Sequence, residues 1–345
     1  MHKLPAIAGA LAVCAAAGAA AAWLRIPLPW MIGPLVAMAA FQFSGATLAA
    51  PPLGREAGQA AIGVTLGLYF TPPVVAEVLA YGGWFVALGF ASIGVGAASG
   101  AFLARAAGVD RATAFFGSMP GGAAEMATIG ERHGALPDRV ALSHSMRMLF
   151  VVTLVPVGIT LAGFSGSDDY RAVALPFDPG GLVALALVAA AAGLFARRLR
   201  IPTAFMIGPL FASIGLTVAG VHLSSVPVAV SNAAQLLLAC ALGARFQRSF
   251  LREAPRFVAA LVPAIFITLA LAALVGAALA WGAGAYLGTA LLAAAPGGIA
   301  EMSITAKVLR IGVAFVTAAH VTRFVIVVVF CSLLFRFFDR PPKRA

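Results

Sequence analysis

The 345-residue chain is 62% apolar and only 10% charged, with a mean hydropathy of +1.00 and a net charge of +11. About a quarter of the residues of an ordinary soluble domain are charged, so composition excludes that class and points to an all-α protein in a lipid bilayer. The basic excess is spread over short loops, where it acts as an orientation signal rather than a footprint for nucleic acid, and no segment is long and polar enough to form an aqueous domain.

In chain order, apolar runs fall at about 4–24, 28–46, 56–71, 82–107, 138–163, 180–197, 203–220, 229–247, 256–281 and 313–335. A bilayer core takes about 20 helical residues, so these read as ten candidate spans. The first run imitates a cleaved leader, and Leu11-Ala12-Val13-Cys14 resembles a lipoprotein box. It is read as a retained span because it leads into Leu24-Arg25-Ile26-Pro27, which returns behind its own apolar run as Leu199-Arg200-Ile201-Pro202. Cys14, Cys240 and Cys331 show no CxxC spacing and read as packing residues, with neither a disulfide framework nor a metal site.

The recurrence extends over nearly the whole chain. Met31-Ile32-Gly33-Pro34-Leu35 matches Met206-Ile207-Gly208-Pro209-Leu210 at an offset of 175, and the offset becomes 176 for Gln59 and Gln235, Gly67 and Gly243, and Glu77 and Glu253. It stays at 176 for a cassette that reads Pro120-Gly121-Gly122, Glu125, His144 and Arg147 in the first copy. The second copy reads Pro296-Gly297-Gly298, Glu301, His320 and Arg323. The chain therefore divides into a first membrane repeat at 1–164, a linker at 165–178 around Ser165-Gly166-Ser167-Asp168-Asp169-Tyr170-Arg171, and a second repeat at 179–345.

Orientation depends on whether the Pro-Gly-Gly segments, about 111–133 and 286–309, cross the bilayer. If they cross, the 21 Lys and Arg outside the cassette helices divide 12 to 9 between the two faces; if they enter and leave on one face, the division is 17 to 4. The second is a strong positive-inside signal and puts both termini in the cytoplasm. Each repeat then has five spans and a re-entrant hairpin, and the odd number turns the second repeat over relative to the first, as in many secondary transporters.

Proline removes a backbone donor and two glycines open forbidden backbone angles, so Pro-Gly-Gly interrupts a helix. In lipid, such a break is tolerated where protein shields it or where it lines a wet cavity. Free N–H groups at the start of the following helix suit an anion or a polar solute. Glu125 and Glu301 lie within the first turn after the break, either as carriers of a coupling proton or cation or as caps. His144 and Arg147, like His320 and Arg323, are three apart and share a helix face. Each Arg either pairs with a Glu or is left to bind a carboxylate or phosphate. Gln59 and Gln235 are a second symmetric polar pair, serving as helix glue or as part of the site.

The paired IPxxxMIGPL elements followed by PGGxAEM in both halves resemble the AbrB duplication family of bacterial inner-membrane proteins, over essentially the whole chain. Some members are labelled ammonia monooxygenases, and one is described as a regulator of gene expression. The resemblance implies a plasma-membrane protein of transporter-like architecture with no securely known substrate. A metal oxygenase would need clustered ligands, whereas only His144 and His320 of the five histidines lie within spans. A direct DNA reader would need a cytosolic module, for which no loop is long enough, and the small DNA-binding regulator that shares the family name is unrelated. The sequence therefore predicts a secondary transporter for a small polar or anionic solute, coupled to protons or ions, with a membrane sensor that affects transcription indirectly as the alternative. No enzymatic role, cofactor, metal or nucleic-acid partner is expected; the substrate and the lipid bilayer are the expected partners, and a homodimer is compatible with this plan.

Overall fold

The structure, a computed structural model, describes residues 3–46, 48–166, 176–246, 248 and 254–338. Most of the expected linker, together with Arg171, Arg252 and the basic tail, lies outside the described residues. The described chain is all-helical: α1 (Lys3–Trp23), α2 (Pro29–Ser44), α3 (Gly54–Gly67), α4 (Pro72–Ala80), α5 (Gly82–Ala107), α6 (Arg111–Ser118), α7 (Ala123–Glu131) and α8 (Pro137–Leu161) are followed by α9 (Pro179–Arg198), α10 (Ala204–Val218), α11 (Val228–Gly243), α12 (Pro255–Ala283), α13 (Leu287–Ala294), α14 (Ile299–Leu309) and α15 (Val313–Phe338).

Six of these, α1, α5, α8, α9, α12 and α15, are long and apolar enough to cross a membrane. The other four expected spans correspond to α2, α3, α10 and α11, which have 14 to 16 residues. The run expected at 56–71 ends early, because the chain bends by 94° between α3 and α4. Pro72 and Pro73 at the start of α4 cannot continue the α3 hydrogen-bond ladder.

The residues separate into two compact units, and these cut the chain differently from its repeats. One holds 1–80, 152–248 and 300–317; the other holds 81–151, 249–299 and 318–345. In the first unit, α1 packs on α2 and α9 on α10, while α3 packs on α10 and α11 on α2. Gly33 and Gly208 make the helix approaches possible, since a Cβ on either would strike the carbonyl oxygen of Ala17 or Ala192. Gly67 meets Ser213, and Gly243 meets Met38, so each α3-type helix packs on the α2-type helix of the other repeat. The backbone repeats as well: Arg25 and Arg200, and Leu28 and Thr203, all hold positive φ values of 50–56° at matching helix ends.

The second unit is built from α5, α6, α7, α12, α13 and parts of α8 and α15. Here α5 packs against α12 and α6, and α12 packs against α13. Ser99 Oγ donates to Ala264 O at 2.8 Å and accepts from Thr268 Oγ1 at 2.7 Å, a polar link between α5 and α12. Gly100 lets the backbone of Ala114 approach α5, and Gly276 does the same for Ala290 on α12, so the same contact occurs in both copies. The ends match too, since α5 and α12 stop at the left-handed Gly108 and Gly284.

Candidate functional site

The first Pro-Gly-Gly break separates α6 from α7. Asp110 caps α6 by accepting from Thr113 N at 2.7 Å, and the helix stops at Met119, where Pro120 removes the next donor. Gly122 then caps α7. The two short helices fold back on each other: Leu136 N, beyond the end of α7, donates to Thr113 Oγ1 near the start of α6 at 2.8 Å. The Phe116 ring stacks on His133 at 5.4 Å, and Phe335 packs against both. This segment is a helical hairpin with its break at the tip and its two ends at one level.

His144 and Arg147 on α8 hold that tip. Arg147 Nη1 donates to Met119 O at 2.8 Å and to Ser118 O at 3.2 Å, and Nη2 donates to His144 Nδ1 at 2.9 Å. His144 Nε2 in turn donates to Phe116 O at 3.0 Å. A carbonyl can only accept and a guanidinium can only donate, so these partners select the neutral imidazole with its proton on Nε2.

The second copy repeats the clamp. Arg323 Nη1 donates to Ala295 O at 2.5 Å, and Nη2 donates to Gly297 O at 2.6 Å and to His320 Nδ1 at 2.7 Å. His320 Nε2 donates to Leu292 O at 2.9 Å. All four side chains are buried, with Arg147 3% and Arg323 2% exposed. The Nε–H of each Arg has no hydrogen-bond partner among the described residues.

The carboxylates are arranged differently from the guanidiniums. Glu125 is half-buried and turned back over the start of its own helix, close enough to Gly122 that a Cβ there would collide with Oε2. It occupies the third helical position, where a carboxylate complements the helix dipole. It forms no hydrogen bond with Arg147, whose partners are carbonyls and His144. Pro120 and Pro296 line one narrow cavity of about 10 Å³, room for about one water, together with Ser92, Thr268, Ala272 and Ala294.

Of the fourteen residues singled out from sequence, eleven fall in this unit: Pro120, Gly121, Gly122, Glu125, His144, Arg147, Pro296, Gly297, Gly298, His320 and Arg323. Glu301, Gln59 and Gln235 fall in the other, where Gln59 on α3 and Gln235 on α11 are buried. Sequence reasoning missed Ser92 and Thr268, which look like ordinary small polar residues in apolar helices. It also missed the backbone carbonyls that hold the guanidiniums, since every residue has one. Among the described residues, no group of three or more His, Cys, Asp or Glu side chains is placed to hold a metal.

Two curated relatives are similar over nearly their whole length. A protein of Escherichia coli (strain K12) named "Putative regulator AbrB" is 25% identical over 329 residues, covering 93% of each chain. A protein of Bacillus subtilis (strain 168) named "Uncharacterized protein YhjN" is 27% identical over 368 residues, covering 94% of this chain and 91% of that one. A family described as "Transition state regulatory protein AbrB" matches residues 30–339, and this duplicated helical chain belongs to that AbrB family.

Proposed function

We propose that the chain is a multi-pass protein of the bacterial inner membrane, with both termini cytoplasmic, that moves a small anionic or polar solute by alternating access. The observation that carries this reading is the pair of buried guanidiniums at the two helix breaks, each bound to neutral groups and each with an unpartnered Nε–H. Two buried cations without carboxylate hydrogen bonds are costly in a low-dielectric interior, and an anion offsets that cost. The hairpin geometry of α6 and α7 supports the re-entrant arrangement, and with it the 17-to-4 charge division and the inverted relation of the repeats.

Glu125 and Glu301 are the candidate carriers of a coupling proton or cation. In this reading the protein drives solute with an ion gradient and catalyses no covalent reaction. Purified protein in vesicles with an imposed proton gradient, offered acetate, succinate or inorganic phosphate, tests the proposal. Saturable uptake of at least one anion that accompanies proton movement is expected, and the variants Arg147→Gln and Arg323→Gln abolish it. The second reading is a membrane sensor that changes gene expression indirectly, favoured by the word regulator in the name of the Escherichia coli relative. Anion binding without flux would favour it.

A further inference from the structure

The first unit carries a feature that the transport reading does not use. Between α3 and α9 runs an apolar groove of about 550 Å³, within the usual range for a site holding one small molecule. One wall is the stripe Ala57, Ala60, Ala61 and Val64 on α3; the other runs from Leu182 through Ala186 and Ala190 to Arg197 on α9. The α9 wall is about 22 Å long at 1.5 Å per residue, more than the ~15 Å of one leaflet's hydrocarbon.

The polar groups lie together at one end. Gly63 packs on Met206 and Gly67 on Ser213, so α3 runs parallel to α10, while Gly193 packs on Phe205, so α9 and α10 are antiparallel neighbours. Glu56, at the start of α3, is therefore level with Arg197, at the end of α9. Both line the groove. The Arg197 guanidinium lies 5.6 Å from the Phe205 ring centroid, which holds it at the mouth. Neither charged head has a hydrogen-bond partner among the described residues.

The helix pair equivalent to α3 and α9 is α11 and α1, and its face is packed differently. There Leu236 stands where the first repeat has Ala60, and it packs against fully buried Cys14 and Cys240, the equivalents of Ala189 and Val64. The groove between α3 and α9 is thus lined by small residues where the equivalent pair, α11 and α1, has a leucine.

We propose that this groove holds one phospholipid with an amine-bearing zwitterionic headgroup, one of its two acyl chains along the Ala stripe, its phosphate at Arg197 and its ammonium at Glu56. A cation and an anion at one mouth match that headgroup, whereas an anionic headgroup would meet Glu56 as a like charge. The test is quantitative lipid extraction and native mass spectrometry of the intact protein, purified from membranes containing phosphatidylethanolamine and phosphatidylglycerol. The expected result is retained phosphatidylethanolamine in excess over its share of the membrane, lost in Ala60→Leu, which copies Leu236 of the equivalent helix pair. Arg197→Gln is expected to weaken retention about fivefold, the worth of one basic residue near a lipid headgroup. Glu56→Gln should remove the preference for the ethanolamine headgroup, and as a half-exposed substitution it keeps the test open if Ala60→Leu fails to fold. Lipid retained in membrane proportion, or retention unchanged in all three variants, would overturn the proposal. So would crosslinking of an Ala190→Cys protein into dimers, which would seat a second copy in the groove.

Discussion

Arg147 and Arg323 are the residues on which the site turns, and their geometry separates shape from charge. Each guanidinium reaches backbone oxygens at its break and a histidine at once, which the planar fork allows and a single ammonium does not. Arg147→Lys should therefore keep the charge but lose the clamp, reducing anion affinity at least tenfold by calorimetry while leaving membrane insertion intact. Unchanged affinity would mean that charge alone suffices. Gly33 makes a second prediction: a Cβ there strikes the backbone oxygen of Ala17, which cannot swing aside as a side chain can, so Gly33→Ala should destabilise the protein by about 1–3 kcal/mol. Gly94 in α5 is the control, since a Cβ there meets nothing within 4 Å. Gly94→Ala should be neutral or stabilise by up to about 1 kcal/mol through helix propensity, read as a thermal unfolding midpoint.

The hairpin of α6 and α7 is the element that decides topology. Its sequence shows the break plainly, because Pro120, Gly121 and Gly122 leave few alternatives to an interruption. What the sequence could not show is the return path, since Thr113 and Leu136 meet through one hydroxyl and one amide that no periodicity encodes. A protein with Thr113→Cys and Leu136→Cys, its three native cysteines replaced, should form an intramolecular disulfide readily. Such a bond needs Cα atoms about 4.4–6.8 Å apart. A break in a helix that crossed the bilayer would hold these positions far apart and leave both thiols free. The bend between α3 and α4 was equally hidden by hydropathy, although Pro72-Pro73 marked where the helix had to stop.

At the scale of the molecule, the duplication was legible because matched glycines and prolines sit where helices approach closely or break. Gly33 with Gly208 and Gly100 with Gly276 make equivalent contacts in the two copies. The grouping of helices was not legible, because each compact unit draws on both halves and nothing in one linear repeat names its neighbour in the other. Both clamped breaks fall in one unit, and the central proposal is that they serve one anion together. Titration of wild type, Arg147→Gln, Arg323→Gln and the double variant with the best-bound anion of the acetate, succinate and phosphate panel tests it most directly. If both guanidiniums serve the same ligand, one anion binds per chain, either single variant loses most of the affinity and the double variant loses little more. Two independent sites, each lost with its own arginine, or affinity that survives in the double variant, would contradict it.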